Sequence, residues 1–321
     1  MYRHDCVAKV PDAPSRNRYE TGIIDTLDAK GGRPPSRQIQ KSFTMRPLLF
    51  SSHPTLFRLR VAQRRLFCAL AWRFGSQRFA TAILGERLPH KVYRHQSKLK
   101  RYLAGAPEEA RWQENKVHNH SLAIPCLDGV LIRPGETLSF WRLVGRPTAE
   151  RGFREGMELA MGRARGGIGG GLCQIANLIH WLALHSPLEV TKRANHSFDP
   201  FPDQGRIIPY GTGAALFYNF VDLCVRNPTA DTFQLRLWLT DTLLNGELRC
   251  DAPQPVRYSI FERNGRFSQV EGTWFRQNEI WRQTSSKGEG KRIISTEMLY
   301  ENRVRVLYTP FRTDPSAKKS S

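Results

Sequence analysis

Five glycines in six positions, from Gly166 to Gly171, constrain this chain more than any other stretch of its sequence. Glycine offers no side chain to a core and loses much backbone freedom on folding, so the run predicts a turn where the backbone bends sharply or approaches another group closely. Apolar residues then recur at helical spacing: Ile175, Leu178, Ile179 and Leu182. The sequence therefore predicts a glycine-rich turn followed at once by a helix over Cys173–Leu184.

Cys173 falls in the first turn of this predicted helix, a position that suits a reactive thiol. Free backbone N–H groups at a helix N-terminus favour thiolate over thiol and lower a cysteine pKa. A thiolate is the competent nucleophile, and the glycine N–H groups would hold an oxyanion. His196 follows a predicted strand, 188–193, that would return it to the turn as the base, and Asp222 would orient its imidazole. The catalytic candidates, for acyl transfer or amide hydrolysis, are therefore Cys173, His196 and Asp222.

Other interpretations of the same segment stay open. The turn would serve packing alone if Cys173 is a small buried residue. Its amides would instead hold a phosphate or carboxylate if the site binds an anion. The ligand-binding candidates for such a site lie in the turn and in the loop after the next strand: Gly169, Gly170, Gly171, Gln174, Ser197 and Asp199.

The histidines near the turn allow two further interpretations. A metal site would use the thiol and the histidines that follow it: Cys173, His180, His185 and His196. Their spacing matches no familiar pattern, so we predict neither a metal nor a cofactor. His196 is alternatively a loop histidine fixed by the carboxylates of Asp199 and Asp203.

The positive charge of the chain is concentrated near its N-terminal end. Formal net charge is +20, and residues 57–101 carry twelve Lys and Arg residues against one acidic residue, Glu86. Apolar spacing predicts an amphipathic basic helix over 56–74, and a second helix is expected over 91–103. The first helix would either lie on an anionic membrane surface or pack on the domain with a solvated basic face. Such a region favours anionic partners: an anionic small molecule or peptidoglycan precursor, or a membrane surface contacted through residues 57–101. Outside this region the chain is only mildly basic, so we expect no specific nucleic-acid partner.

The predicted helices and strands together indicate an α+β fold with a mostly antiparallel sheet. A central helix follows the glycine-rich turn, and a basic helical N-terminal region precedes both. The clearest strand candidate is 233–240, in which apolar and polar residues alternate, and 214–220 is a further strand candidate. The predicted regions are a disordered or upstream-translated tail (1–44), a basic helical region (45–115), a core domain (116–250), a β extension (251–311) and a loose tail (312–321).

Neither the cysteines nor the apolar runs indicate an exported or membrane-spanning protein. The six cysteines form no C-x-x-C pair and no zinc-ribbon spacing. No apolar segment of a secretory signal follows Met1, and no run of about 18 apolar residues occurs. We therefore expect a cytoplasmic protein, with peripheral contact at the inner membrane face.

Several short motifs in order give the sequence a family resemblance, which covers roughly residues 45–260. The motifs are Pro134-Gly-Glu-Thr-Leu-Ser-Phe-Trp141, Gly169-Gly-Gly-Leu-Cys-Gln174, Leu184-His-Ser-Pro187, His196-Ser-Phe-Asp199, Tyr210-Gly-Thr-Gly-Ala214 and Phe217-Tyr-Asn-Phe-Val-Asp222. In these the chain resembles the VanW family. The resemblance implies an accessory protein of bacterial cell-envelope metabolism or of the response to glycopeptide antibiotics.

Overall fold

Antiparallel pairing between strands far apart in the sequence dominates the fold. A computed structural model describes residues 54–100, 107–160, 163–195, 198–199, 208–219, 221–288, 290 and 292–310. Its α-helices are α1 (Pro54–Phe74), α2 (Pro107–Ala123), α3 (Phe140–Val144) and α4 (Cys173–Leu184). The described residues from Cys68 onward form one compact unit, and those before it belong to another.

The strands of the described residues are short in the first half of the chain and long near its end. They are β1 (His90–Lys98), β2 (Leu131–Ile132), β3 (Thr137–Ser139), β4 (Glu155–Ala160), β5 (Arg163–Ile168), β6 (Glu189–Lys192), β7 (Phe198–Asp199), β8 (Cys224–Arg226), β9 (Phe233–Leu239), β10 (Leu243–Cys250), β11 (Val256–Val270), β12 (Thr273–Ser286) and β13 (Ile293–Val306).

These strands form four small sheets. One sheet has the order β1-β10-β9-β2, a second has β11-β12-β13-β7, a third has β3-β8-β6, and β4 pairs with β5. Pairing is antiparallel everywhere except between β13 and β7. The predicted α+β class with mostly antiparallel sheets is confirmed.

Helix α4 packs against β1 and β10, and its buried side chains form the centre of the hydrophobic core. Gly246 on β10 makes this close approach feasible. A Cβ built on Gly246 would lie 2.8 Å from side-chain atoms of Leu178 and 3.1 Å from one of Leu182. The predicted helix 173–184 is confirmed residue for residue, because its apolar face is broad enough to specify burial.

Two of the predicted elements are wrong. Residues 91–103 were expected to be helical, but 90–98 form β1, which pairs with β10 across about 150 residues of sequence. Burial alternates from Tyr93 to Lys98, as a period of two requires, with Arg94, Gln96 and Lys98 exposed between half-buried neighbours. The expected strand over 214–220 is a loop in its described part, with an isolated bridge between Phe217 and Val221.

Helix α1 confirms the predicted helix 56–74 but does not bury its apolar stripe. Five large apolar side chains are between 41% and 76% exposed: Leu59, Leu66, Phe67, Leu70 and Phe74. At 3.6 residues per turn they lie within an arc of about 100° on one side of the helix. The 21 residues of α1 include five arginines and no acidic residue.

Candidate functional site

The glycine-rich turn is packed by the protein itself. Gly169 and Gly171 adopt positive φ values of 81° and 94°, which favour glycine. A Cβ on Gly170 would lie 2.1 Å from the carbonyl oxygen of Gly156 on β4, and one on Gly171 would lie 2.1 Å from Cγ of Lys116 on α2. The glycines are therefore needed where the turn crosses β4 and α2.

The backbone amides of the turn are largely engaged as well. Gly169 N–H donates to the carbonyl oxygen of Arg154 at 3.0 Å, and Gly170 N–H donates to that of Gly167 at 2.9 Å. Neither amide is left for an oxyanion or another anionic ligand. This arrangement favours the packing interpretation of the turn over an anion site at Gly169 and Gly170.

Helix α2 fixes the turn through two side chains that the sequence reasoning missed. Asn119 Nδ2 donates to the carbonyl oxygens of Arg154 at 2.9 Å and of Gly170 at 3.0 Å, while its Oδ1 accepts from Arg154 N–H at 2.8 Å. His120 Nε2 lies 3.0 Å from the carbonyl oxygen of Gly171. Burial lowers the pKa of His120 to about 4, so this imidazole is neutral and donates from Nε2. No local signal in the sequence links α2 to a turn about 50 residues away.

Cys173, Asn177 and His180 share one face of α4 and contact the loop 212–216. The N–H of Leu216 faces the sulfur of Cys173. Asn177 Oδ1 accepts from the N–H of Ala214 at 2.6 Å. His180 Nδ1 lies 2.8 Å from the carbonyl oxygen of Thr212. Residues three and four apart on a helix are neighbours, so this polar stripe holds the backbone of the loop along two turns of α4.

The environment of Cys173 acts against its ionisation. Cys173 is half-buried as a residue, and the burial of its thiol raises the thiol pKa to about 11. The charge of Glu158 adds to the increase. The N–H groups of Leu216 and of Cys173 itself oppose this and lower the pKa. The amide effect expected at the helix start is thus present, but burial outweighs it. The expected low pKa is wrong in direction.

Within the described residues, the hydrogen-bond partners of Asp222 do not include a histidine. It is buried and accepts from Ser139 Oγ at 2.6 Å, from Trp141 N–H at 3.1 Å and from Cys224 Sγ at 3.4 Å. Ser139 is the N-cap of α3, and Trp141 lies in its first turn. The carboxylate therefore fixes the start of α3 beside β8, which is a structural use of this group.

The other predicted site residues are dispersed. His196 and Ser197 lie outside the described residues. Asp199 is buried and accepts from Tyr308 Oη at 3.0 Å, with Arg276 Nη1 at 3.4 Å. Gln174 Nε2 donates to Ser97 Oγ and to the carbonyl oxygen of Lys98, which ties α4 to β1. The described residues contain no group of three His, Cys, Asp or Glu placed to hold a metal ion.

Comparisons with known proteins place the chain in a family. The family model described as VanW like protein matches residues 115–249. Over 263 residues the chain is 32% identical to the vancomycin B-type resistance protein VanW of Enterococcus faecalis, covering 82% of this chain and 94% of that protein. The chain belongs to the VanW family.

A second relative matches a smaller part of the VanW-family chain. The uncharacterized protein YoaR of Bacillus subtilis is 29% identical over 94 residues, which is 29% of this chain and 31% of that protein. No solved structure matches the chain. Among the described residues, no helix has both the length and the apolar character needed to cross a membrane.

Proposed function

We propose that this VanW-family protein is an accessory protein of bacterial cell-envelope metabolism or of the response to glycopeptide antibiotics. It acts as a non-catalytic module that binds an anionic cell-wall precursor at the cytoplasmic membrane surface. The link to resistance rests on the name of the Enterococcus relative, which is a vancomycin B-type resistance protein. The observation that carries the membrane contact is the exposed apolar stripe of α1 on a helix without acidic residues.

Helix α1 has the chemistry of a helix that lies on an anionic membrane. Exposed large apolar side chains are costly in water when they form one continuous stripe, and they gain free energy at the boundary of head groups and acyl chains. Five arginines lie along the same helix. Each basic group near an anionic surface contributes about 1 kcal/mol of attraction. The surface that contacts the exposed apolar side chains of α1 is therefore an anionic lipid surface.

Co-sedimentation of the full chain with lipid vesicles tests this proposal. The chain should pellet with phosphatidylglycerol-containing vesicles, pellet less with purely zwitterionic ones, and be released by salt, because screening weakens charge attraction. The double variant Phe67→Ser, Phe74→Ser removes two exposed side chains of α1. Binding should fall at least about tenfold, since each buried aromatic ring contributes more than 1 kcal/mol.

The matched control is the double variant Ile293→Ser, Ile294→Ser. These side chains are each 58% exposed on β13, so the variant removes similar apolar surface elsewhere. It should pellet like the unchanged chain. Equal loss in the two double variants, or no preference for anionic vesicles, would refute the membrane contact.

A second candidate function is a cysteine-nucleophile hydrolase or acyltransferase with Cys173, His196 and Asp222. The observation in its favour is the N–H of Leu216 facing the sulfur, because an amide donor stabilises a thiolate. The raised thiol pKa and the hydrogen bonds of Asp222 count against it. The reactivity of Cys173 against pH separates the two functions.

A further inference from the structure

One region beside α4 contains four buried side-chain atoms that have no hydrogen-bond partner within the described part of the chain. They are His180 Nε2, Arg193 Nε, Asn195 Oδ1 and Tyr300 Oη. We name these four residues the buried polar cluster. Buried polar atoms in folded proteins almost always have a partner from the protein or from outside it. Four orphan atoms in one region therefore indicate a place that receives a polar partner.

The members of the buried polar cluster lie close to one another. The guanidinium carbon of Arg193 lies 4.2 Å from the ring centroid of Tyr300, and the ring of His180 lies 6.4 Å from it. Arg193 Nη1 donates to two carbonyl oxygens of loop 211–213, at 2.9 and 2.7 Å. His180 Nδ1 lies 2.8 Å from the carbonyl oxygen between them, that of Thr212.

Asn195 joins the buried polar cluster through β13. Its Nδ2 donates to Asn302 Oδ1 at 2.7 Å, and Asn302 is two residues from Tyr300 on the same strand. Side chains two apart on a strand point to the same face of the sheet. Asn302 in turn donates to Asn278 Oδ1 at 2.8 Å, so its amide is held in place. No donor to Asn195 Oδ1 is found among the described residues, so this oxygen is available to accept from an incoming partner.

The charge of Arg193 is not balanced by the described residues. None of their carboxylates forms an ion pair with it. Burial lowers the pKa of Arg193, and Tyr300 opposes this and raises it. Arg193 is half-buried, and its Nε is fully buried. A charge withdrawn from water without a counter-ion is costly, and an incoming anion reduces that cost. Water alone would satisfy hydrogen bonds but would not neutralise the guanidinium.

The hydrogen-bonding roles of the four atoms are complementary. A carbonyl oxygen only accepts, so His180 Nδ1 carries the proton that it gives to Thr212. Burial lowers the pKa of His180 to about 3, so the ring is neutral and its Nε2 is an acceptor. Asn195 Oδ1 is also an acceptor, whereas Arg193 Nε is a donor. The Tyr300 hydroxyl either donates or accepts.

From this arrangement we propose that the buried polar cluster binds a compact carboxylate that carries an N–H or O–H donor beside it. The carboxylate bonds to Arg193 and Tyr300, and the neighbouring donor bonds to His180 and Asn195. Amino acids, 2-hydroxy acids and the carboxyl end of a peptide all have this pattern. The inference rests on the proposed function, because it names the anionic ligand class of the same binding module.

Isothermal titration calorimetry with the full chain tests this site. The probes are alanine, N-acetylalanine and lactate, each in both enantiomers, with alaninamide as the probe that lacks a carboxylate. At least one of the carboxylates should bind, and alaninamide should bind at least about tenfold more weakly, a loss of about 1.4 kcal/mol. N-acetylalanine stands for a peptide end and alanine or lactate for a free acid, so their ranking identifies the source.

Tyr300→Phe is the decisive variant, because it removes only the orphan hydroxyl and keeps the ring under Arg193. It should leave the free energy of unfolding unchanged or higher, because the substitution removes the buried Tyr300 hydroxyl, whose burial without a hydrogen bond is unfavourable. It should nevertheless weaken carboxylate binding at least about tenfold, the effect of one hydrogen bond to a charged group. If Tyr300 had a purely structural role, its replacement would not weaken carboxylate binding while leaving the free energy of unfolding undiminished.

The matched control is Tyr258→Phe on β11. Arg282 lies over the Tyr258 ring at 5.1 Å, as Arg193 does over Tyr300, but Arg282 is paired with Glu297 at 2.7 Å. This variant should bind the carboxylates like the unchanged chain. Absence of binding by every carboxylate, equal binding of alaninamide, or equal affinity in Tyr300→Phe would overturn the inference. Vesicle binding is read separately, so failure of the membrane contact is distinguishable from failure of this site.

Discussion

At the scale of single residues, Cys173 shows how two effects on one thiol are weighed. The N–H of Leu216 and the helix start favour thiolate, and the sequence predicts that part. The burial that outweighs it depends on side chains brought together by tertiary packing, which no local pattern records. The same holds for Asp222, whose partners Ser139 and Trp141 are about 80 residues away.

The pH profile of Cys173 alkylation is the residue-scale prediction. Because burial raises the pKa of this thiol to about 11, its reaction with iodoacetamide should be slow near neutral pH and should still be increasing with pH above pH 9. Mass spectrometry of the peptide that contains Cys173 measures the rate separately from the other cysteines. The urea-unfolded chain is the control, with an apparent pKa of about 8.5. A native apparent pKa below that value would support the nucleophile instead.

At the scale of elements, a helix specified by a local apolar pattern could be predicted from the sequence, whereas a strand that depends on long-range pairing could not. Helix α4 could be predicted to the residue because its broad apolar face is a local pattern. Strand β1 could not, because Lys and Arg residues at irregular spacing fit a basic helix equally well until β10 pairs with them. The role of α2 was missed for a related reason. Its Asn119 and His120 act only on a turn that the chain reaches much later.

Gly170 provides the prediction at this scale, because it lies where the turn crosses β4. A Cβ there would lie 2.1 Å from the backbone oxygen of Gly156, which cannot move aside like a flexible side chain. Gly170→Ala should therefore lower the free energy of unfolding by about 1–3 kcal/mol or more, measured by urea denaturation. Gly85→Ala is the control, since nothing lies within 4 Å of its added Cβ. Similar midpoints for the two variants would show that the crossing is not tight.

At the scale of the whole molecule, the family match and the candidate ligand site do not coincide. The family model matches residues 115–249, which include His180 and Arg193. Tyr300 and Asn302 come from β13, beyond that match, and Asn278 on β12 donates to the carbonyl oxygen of Tyr210 at 2.9 Å. The hairpins after β10 therefore complete the surroundings of loop 211–213. A fragment that ends near residue 250 would lack Asn278, Tyr300 and Asn302, so binding experiments require the full chain.

Acid sensitivity follows from three buried neutral histidines, His120, His180 and His185. Burial lowers their pKa values to about 4, about 3 and about 4. Above pH 6.5 the imidazoles are neutral in both the folded and the unfolded chain, so their effect on stability is absent. As pH falls from 6.5 towards 4, the unfolded chain binds protons that the folded chain excludes, and stability decreases. At pH 5 each histidine should cost about 2 kcal/mol.

Urea denaturation from pH 7.5 to 5 measures this loss of stability. The ring centroids of His185 and Tyr93 lie 3.8 Å apart, and His185→Phe keeps an aromatic ring stacked there. This variant should reduce the dependence of the free energy of unfolding on pH. His90→Gln, at a half-exposed position, should leave it unchanged. A pH-independent free energy of unfolding would mean that these imidazoles are not buried in solution.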